Sequence, residues 1–312
     1  MTNIPGTDLN VFPLNLGGNV FGWRADRDGT FAVLDAYAAA GGDFVDTADS
    51  YSYWIPGHVG GESETLIGEW MAARGNRDNV VVATKVGAHP EFKGLTAAQV
   101  QGAAEASLKR LQVDVIDLYW AHFDDVDTPV EETVAALDAL VKQGKVRYVG
   151  ASNLSVDRIT ASLRFAEQEG LTRYVALQPH YNLVERADYE ATYGPLAERE
   201  NLAVFPYFAL ARGFLTGKYR GNPDDGGDSP RAGKASAYHD DRGKRVLAVL
   251  DDLAATHNVP VASVSLAWLR AQPHVVAPIA SARNVEQVGP LLTSVSLELA
   301  ADEVSRLTEA SS

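Results

Sequence analysis

The chain has 312 residues, of which 46% are hydrophobic and 22% are charged, an ordinary balance for a globular protein with a large core. The 27 lysine and arginine residues against 41 aspartate and glutamate residues give a net charge of −14, which disfavours nucleic acid as a partner. The lack of cysteine excludes disulfides, thiolate zinc sites and cysteine nucleophiles. The seven histidines show no metal-ligand spacing such as HExxH, so we expect no metal site.

The N-terminus has no charged leader followed by an apolar segment, and no apolar run reaches the length of a transmembrane helix. The sequence therefore predicts a cytoplasmic protein that does not contact a membrane. It makes no prediction of oligomeric state.

Short runs rich in β-branched residues alternate with amphipathic helical stretches along the chain. The predicted strands are residues 14–18, 43–47, 80–85, 115–122, 148–152, 174–178, 202–207 and 275–279. The predicted helices are residues 30–40, 62–74, 96–111, 130–143, 155–169, 188–200, 242–257 and 261–272, with another beginning at Asn284. Thr96 with Gln99 predicts a capping box, and glycines at 41, 75, 144 and 170 mark helix C-termini.

Eight strands that are each followed by a helix form repeated βα units, and this pattern favours a parallel sheet. An open doubly wound sheet normally carries a G-x-G-x-x-G turn between a strand and a helix, and this sequence has none. We therefore predict an α/β fold, a single (β/α)8 TIM barrel that forms one domain over residues 1–312.

Residues 213–241 interrupt this alternation with a long loop after the seventh strand. The centre of the loop, residues 221–235, is rich in Gly, Pro and Asp. Loops of this length in compact domains are usually functional or disordered. In a barrel this loop lies on the C-terminal face, where active sites are found, so it is either a lid or an insertion without a role.

Polar residues stand at the C-terminal ends of neighbouring predicted strands. Asp46 lies near the end of the second strand, Lys85 closes the third, and His122 closes the fourth. Tyr51 follows in the loop after Asp46. Each residue alone has an ordinary structural explanation. However, Lys85 and His122 both end apolar runs, so their side chains start within the barrel wall and need polar partners, which adjacent strand ends supply.

Together these four residue types can form a proton donor. A phenol with a pKa of about 10 is a poor acid near neutrality, and a neighbouring cation lowers that pKa. Lys85 would be the cation, Asp46 would hold it in place, and His122 could bond the same oxygen or a substrate carbonyl. Such a donor suits carbonyl reduction by hydride, which a nicotinamide or flavin must supply. We expect Lys85→Met to lower turnover and to leave folding largely intact.

Several motifs, in the correct order and spacing, resemble the aldo-keto reductases. They are residues 44–51 (FVDTADSY), 62–68 (ESETLIG), 83–85 (ATK), 117–122 (DLYWAH) and 144–153 (GKVRYVGASN), and the likeness extends over residues 14–288. The chain is similar to bacterial members related to the branch that includes the potassium-channel β subunits. The resemblance implies NADPH-dependent reduction of aldehydes or ketones. Its catalytic residues would be Asp46, Tyr51, Lys85 and His122, with Tyr51 as the general acid.

The resemblance also assigns residues to an NADPH (NADP⁺) cofactor. Those expected near the nicotinamide and its ribose are Gly18, Asn19, Asp46, Ser152, Asn153, Gln178 and Tyr207, with Tyr207 as the stacking ring. Those expected near the pyrophosphate are Leu210, Arg212, Gly213 and Lys218, with Arg231 closing over it. Those expected near the adenosine phosphate are Ser281, Arg283 and Gln287. A guanidinium suits a phosphate, so Arg283 favours NADPH over NADH.

The sequence departs from the family pattern near the adenine and beside the catalytic histidine. Ala280-Ser281 stands where the family often has Pro-Gly, Pro290-Leu291 stands where it often has Glu-Asn, and Phe123 replaces a frequent Trp. We expect a small-molecule carbonyl substrate in a pocket with an aromatic rim. The expected rim residues are Phe21, Trp54 and Phe123, with Trp23, Tyr53 and Trp120 as further candidates.

Two other functions are consistent with parts of this pattern. A cofactor-binding regulatory protein without catalysis, such as the potassium-channel β subunits, would keep the same residues. A barrel isomerase or hydrolase without a nicotinamide would need paired carboxylates or a metal site at the strand ends. Asp124, Asp125 and Asp127 follow His122, but such a cluster also suits a solvated loop.

Overall fold

A computed structural model describes residues 1–220 and 232–312 of the chain. Two short antiparallel strands, β1 (Thr2–Asn3) and β2 (Asn10–Val11), form an N-terminal hairpin. Eight parallel strands follow within the described residues: β3 (Asn15–Gly17), β4 (Phe44–Asp46), β5 (Val81–Val86), β6 (Ile116–Ala121), β7 (Val146–Ser152), β8 (Tyr174–Gln178), β9 (Ala203–Val204) and β10 (Ile279–Ala280).

The parallel strands form a ring. Strands β3 to β9 pair in chain order, and β10 pairs with β3. Between β9 and β10, Val204 forms a parallel bridge with Val275, and the Ile279 N–H donates to Pro206 O at 2.9 Å. These contacts complete the ring, and the predicted α/β barrel is confirmed.

Helices follow the strands and cover the outside of the barrel. They are α1 (Arg27–Ala39), α2 (Glu62–Arg74), α3 (Ala97–Leu111), α4 (Val130–Lys142), α5 (Val156–Glu169), α6 (Gly194–Glu200), α7 (Ala232–Ala235), α8 (Asp241–His257), α9 (Val261–Arg270), α10 (Val288–Ser296) and α11 (Ala301–Ala310). The Thr96 side chain caps α3 by accepting from the Gln99 N–H, which is one of the two bonds of the predicted capping box. Gly75 and Gly170 end α2 and α5 with φ of 59° and 62°. No helix in the described ranges is long and apolar enough to cross a membrane.

The predicted long loop over residues 213–241 is described only at its two ends. A 3₁₀ segment at Ala211–Thr216 covers its beginning, and α7 followed by a 3₁₀ turn at Ser236–Tyr238 leads into α8. Residues 221–231, which include Arg231, lie outside the described residues. Both alternatives for this loop, a lid or an insertion without a role, therefore stay predictions.

Alternate residues of the strands point to opposite sides of the barrel wall, as the pleat of a β-strand requires. One set packs together in the barrel interior: Phe44, Ala83, Leu118, Trp120, Ala176, Ala203 and Phe205. The intervening set packs against the helices: Val45, Val82, Tyr119, Leu177 and Val204. Three residues of the N-terminal hairpin segment, Ile4, Leu9 and Val11, join the interior set. The hairpin therefore closes the N-terminal end of the barrel, and the interior opens at the C-terminal ends of the strands.

Candidate active site

The predicted catalytic residues continue the inward-facing series at the open end of the barrel. Asp46, Lys85 and His122 each come two positions after an inward-facing apolar residue, namely Phe44, Ala83 and Trp120 respectively. Because side chains alternate along a strand, all three point to the inner side of the wall. The fold thus brings together side chains that lie far apart in sequence.

The Lys85 ammonium is the centre of this cluster. Its side chain is fully buried, and its Nζ donates to Asp46 Oδ2, to the Thr47 carbonyl oxygen and to the Tyr51 hydroxyl at 2.9 Å. A lysine ammonium has three N–H donors, so all three are used. Burial opposes the charge, but the Asp46 carboxylate and Tyr51 outweigh it and raise the pKa of Lys85. Lys85 is therefore a cation at neutral pH.

Asp46 is hydrogen-bonded through both carboxylate oxygens. Oδ2 accepts from Lys85, and Oδ1 accepts from Gln178 Nε2 at 2.9 Å. Burial raises the pKa of Asp46 against the opposing effect of the Lys85 ammonium. Asp46 and Lys85 thus form a buried ion pair, held on one side by Gln178.

Tyr51 and His122 lie next to each other at the opening. Their ring centroids are 6.2 Å apart, and the ring planes meet at 73°. Burial and, secondarily, the Lys85 ammonium hold the pKa of His122 well below its usual range, so the imidazole is neutral. Its Nδ1 has no hydrogen-bond partner among the described residues. A neutral imidazole can donate one hydrogen bond to an oxygen placed beside the Tyr51 hydroxyl.

The polar residues predicted at the ends of β7 and β8 form a hydrogen-bonded group that adjoins Asp46 through Gln178. Asn153 Nδ2 donates to His122 O at 2.9 Å and to Ser152 Oγ at 3.0 Å, and Asn153 Oδ1 accepts from the Tyr207 hydroxyl at 2.8 Å. Ser152 Oγ donates to Gln178 O at 2.9 Å. Both amide hydrogens of Asn153 are therefore used within the protein.

Tyr207 is half-buried between this polar group and a histidine that the sequence analysis did not select. The His180 ring stacks on it, with centroids 5.3 Å apart and an interplanar angle of 13°. Burial raises the pKa of Tyr207 to about 12. The phenol is therefore neutral at ordinary pH and donates its hydrogen to Asn153.

Gly18 contacts Asp46, and the neighbouring Asn19 contacts Ser281. The Gly18 N–H donates to Asp46 O at 2.7 Å, and Asn19 Oδ1 accepts from Ser281 Oγ at 2.8 Å. This second bond joins the loop after β3 to the loop after β10. Ser281 therefore lies on the same side of the opening as Asp46.

The residues predicted near the pyrophosphate lie in a turn with unusual backbone geometry. Arg212 and Gly213 have φ of 58° and 99°. The Gly213 N–H donates to Leu210 O at 2.8 Å, so this backbone donor is already used within the turn. The Arg212 guanidinium lies 4.1 Å from the Phe208 ring centroid, and Lys218 is exposed.

Arg283 and Gln287 are joined at the start of the segment that leads into α10. The Arg283 side chain is exposed, while its backbone N–H donates to Gln287 Oε1 at 3.1 Å. The Gln287 side chain thus closes this turn, and the Arg283 guanidinium extends from it.

Two of the three predicted rim residues flank the opening. Trp54 is 47% exposed and Phe123 is 48% exposed, and their ring centroids lie 6.3 Å from Tyr51 and 4.5 Å from His122 respectively. The prediction for Phe21 and Trp120 was wrong, because both are 0% exposed. Phe21 packs into the core between the barrel and the helices, and Trp120 fills the barrel interior.

Two of the three acidic residues after His122, Asp124 and Asp125, have structural partners. Asp124 pairs with Arg158 Nε at 2.9 Å, and Asp125 Oδ2 accepts from Thr128 Oγ1 at 2.6 Å and from the Leu95 N–H at 2.7 Å. Among the described residues, no group of three or more His, Cys, Asp or Glu side chains could hold a metal ion.

A cavity of about 600 Å³ lies beside the loop that follows Tyr51, but none of the four predicted catalytic residues lines it. Both arginines that line it already have partners in the protein. Arg27 pairs with Glu69 at 2.9 Å, and Arg110 pairs with Glu64 at 2.6 Å. We therefore place the candidate site at the cluster around Lys85 and not in this cavity.

A sequence model of the Aldo/keto reductase family matches residues 13–312. The chain belongs to the aldo/keto reductase family. It is 34% identical to the aldo-keto reductase ausK of Aspergillus calidoustus over 97% of this chain and 79% of that protein. It is 32% identical to the aryl-alcohol dehydrogenase GME11368 of Pestalotiopsis microspora, over 97% and 79% of the two chains. It is 29% identical to the protein tas of Escherichia coli, over 97% and 95%. Membership of this family and these relatives support an oxidoreductase.

The sequence analysis of this aldo/keto reductase missed the polar residues directly behind Lys85. Glu64 lies there, fully buried, bonded to Thr84 and to Arg110. A signal was present, because Glu64 falls inside the family motif at residues 62–68 and Thr84 inside the motif at residues 83–85. The alternation of strand residues places Thr84 on the outer side of the wall, which separates it from Lys85.

Proposed function

We propose that this aldo/keto reductase is an NADPH-dependent enzyme that reduces an aldehyde or a ketone to an alcohol, with Tyr51 as the proton donor. The observation that carries the proposal is the buried Lys85 ammonium, which is paired with Asp46 and lies 2.9 Å from the Tyr51 hydroxyl. The hydroxyl stands at the open end of the barrel beside the neutral His122.

The chemistry divides between the cofactor and the side chains. The bound nicotinamide supplies the hydride, which no side chain can provide. Tyr51 donates its proton to the carbonyl oxygen, and the Lys85 cation stabilises the phenolate that remains. His122 orients the carbonyl oxygen by a hydrogen bond, and Asp46 keeps Lys85 charged and in place.

The donors and acceptors around the opening fit a nicotinamide dinucleotide. Ser152, Asn153 and Gln178 offer short polar groups beside Asp46, and Asn153 would exchange an internal bond to reach a carboxamide. The partly exposed Tyr207 ring offers a stacking surface, backed by His180. Gly18, Asn19 and Ser281 would border the ribose. The cations for the phosphate groups would be Arg212, Lys218 and Arg283.

An aromatic carbonyl compound is the first substrate to test. The relative from Pestalotiopsis microspora is named an aryl-alcohol dehydrogenase, and exposed Trp54 and Phe123 rings flank Tyr51 and His122. Aromatic rings favour offset or edge contacts with another ring. Diketones, quinones and keto-sugars complete the panel.

The test measures NADPH oxidation with this panel in the wild type and in Tyr51→Phe. We expect Tyr51→Phe to lower kcat by roughly 10²- to 10⁴-fold, the usual contribution of a positioned general acid. The Kd for NADPH, from fluorescence titration, should stay near the wild-type value because the ring remains. Tyr148→Phe is the matched control, because the Tyr148 hydroxyl donates to Asp8 at the hairpin end of the barrel, away from Tyr51.

Two results would contradict the proposal. If Tyr51→Phe keeps the wild-type rate, Tyr51 is not the acid. If the wild type binds NADPH tightly and oxidises it with no compound of the panel, the regulatory alternative is favoured.

A further inference from the structure

Two threonines, Thr47 and Thr84, lie next to the residues that bind the Lys85 ammonium. Thr84 precedes Lys85 on β5, so its side chain points towards the helices while Lys85 points inward. Thr47 follows β4, and its carbonyl oxygen is one of the three acceptors for Lys85 Nζ. Both threonines are fully buried. Their hydroxyl groups are bound by two consecutive residues of α2, Ser63 and Glu64.

Glu64 holds the strand β5 from the outer side of the wall. One carboxylate oxygen, Oε1, accepts from Thr84 Oγ1, and the other, Oε2, accepts from Arg110 Nε of α3 at 2.6 Å. The carboxylate is 0% exposed. A buried carboxylate that loses a partner is costly, so Glu64 is confined to the position where both bonds are made.

Ser63 holds the adjacent strand ends in the same way. Thr47 Oγ1 donates to Ser63 Oγ at 2.8 Å, and Ser63 Oγ donates to Gly18 O at 2.8 Å. The Ser63 side chain lies close to the Gly18 backbone, since a Cβ atom on Gly18 would lie 2.7 Å from Ser63 Oγ. One serine hydroxyl therefore joins the ends of β3 and β4 to α2.

We propose that Ser63 and Glu64 are positioning residues for the Lys85 ammonium. Through Thr47 and Thr84 they fix the two strand ends that hold Nζ against Tyr51. All three N–H donors of Lys85 are used, so a rotation of β5 about its axis would break a bond to Asp46, Thr47 or Tyr51. Catalytic geometry is sensitive to displacements of about 1 Å. The inference rests on the function proposed above.

A matched pair of substitutions at Thr84 tests the proposal. Thr84→Val keeps the branched shape and removes the hydroxyl, whereas Thr84→Ser keeps the hydroxyl and removes the methyl group. We expect Thr84→Val to lower kcat by roughly 10- to 100-fold, with KM and the Kd for NADPH little changed. Thr84→Ser should recover most of the lost kcat. If Thr84→Ser lowers kcat and Thr84→Val does not, packing at Thr84 matters and its hydroxyl does not, which would overturn the proposal. A wild-type kcat in both variants would also overturn it.

A double-mutant cycle with Tyr51→Phe separates this inference from the proposed function. If Thr84 acts through Lys85 and Tyr51, Thr84→Val should cause no further loss of rate in the Tyr51→Phe background. A full additional loss would overturn the positioning role. A wild-type rate in Tyr51→Phe alone would instead overturn the proposed function.

A crystal structure of Thr84→Val tests the proposal without a measurement of turnover. In Thr84→Val the distance from Lys85 Nζ to the Tyr51 hydroxyl should lengthen from 2.9 Å. An unchanged distance would contradict the proposal. If Thr84→Val fails to fold, Thr47→Val and Thr47→Ser form an equivalent pair on the Ser63 side, with the same expected pattern and the same contrary result.

Discussion

Asp46 and Lys85 neutralise each other inside the barrel, where their side chains are 1% and 0% exposed. Removing one partner of a buried ion pair leaves an uncompensated charge, which usually costs about 3–5 kcal/mol. We therefore expect Lys85→Met to lower the free energy of unfolding by about that amount as well as to lower turnover. Urea denaturation followed by circular dichroism measures the first effect. This replaces the expectation from sequence that folding would stay largely intact.

The double variant Lys85→Met with Asp46→Asn is the control for that prediction. It removes both charges, so much of the lost stability should return while turnover stays low. If Lys85→Met alone unfolds at the wild-type urea concentration, the ion pair does not stabilise the fold in this way.

Asp49 is a second buried acid, close to the catalytic cluster but outside it. It is fully buried, and burial, followed by the charge of Glu64, raises the pKa of Asp49 well above its usual value of 3.8. The neutral form is therefore favoured in the fold. The pKa of Asp49 is higher in the folded protein than in the unfolded chain. The contribution of Asp49 to the free energy of unfolding is therefore complete below pH 3.8 and is lost as pH rises through the folded pKa.

We expect the unfolding free energy of the wild type, relative to that of Asp49→Asn, to fall as pH rises above 3.8. Urea titrations of both proteins over a series of pH values measure this difference. Asp28→Asn is the control, since the Asp28 side chain is 96% exposed. Parallel profiles for the wild type and Asp49→Asn would contradict the prediction.

At the scale of elements, the N-terminal hairpin acts as part of the barrel core. Ile4 is 0% exposed and packs in the interior cluster. The hairpin loop is held by Asp8 Oδ1, which accepts from Arg147 Nη2 at 2.7 Å and from the Tyr148 hydroxyl at 2.8 Å. These contacts join the hairpin segment to β7.

Ile4→Ala should lower the free energy of unfolding by about 2–5 kcal/mol, because it leaves a cavity in a packed interior. The kcat should not change, since the hairpin lies at the opposite end of the barrel from Tyr51. Denaturation and steady-state assays measure the two effects. Met1→Ala is the control within the same segment, as Met1 is 71% exposed. A lowered kcat in folded Ile4→Ala would show that the two ends of the barrel are coupled.

The central strands were predictable from sequence because they are long enough to show a pattern. The predicted strand at residues 174–178 is confirmed without change as β8. The hairpin strands β1 and β2 have two residues each, too few for any periodicity, and their burial depends on contacts with distant strands. The helix α11 was missed for a related reason, since its one buried residue is Leu307.

The positions of the candidate catalytic residues were predictable because parallel strands of a barrel end at one face. The rim was less predictable, because residue type does not tell on which side of the wall an aromatic ring lies. Phe21 and Trp120 were assigned to the opening and are buried on opposite sides of the wall. The bond between Glu64 and Arg110 depends on how α2 packs against α3, which no local pattern reveals.

At the scale of the whole molecule, a net charge of −14 opposes the approach of an anionic cofactor. Recognition of phosphate groups must therefore be local. Arg283 is exposed at the turn before α10, and its backbone is fixed by Gln287. Its guanidinium is suited to the phosphate that distinguishes NADPH from NADH.

We expect Arg283→Ala to weaken NADPH binding by about 1.5–3 kcal/mol, the usual contribution of a hydrogen bond to a charged group, and to affect NADH much less. Fluorescence titration with both cofactors measures the ratio of the two Kd values. Arg306→Ala is the control, because Arg306 is an exposed arginine on α11 that pairs with Asp252. Equal weakening of both cofactors would refute phosphate recognition by Arg283.

Within the described residues, the N-terminal hairpin closes one end of the barrel, so the group around Lys85 is reached from the C-terminal ends of the strands. In the reaction proposed above, the nicotinamide, the carbonyl compound and the alcohol all pass through this opening. The molecule that lies deepest would therefore bind first and leave last. The order of binding would then follow from the shape of the barrel and not from a difference in affinity.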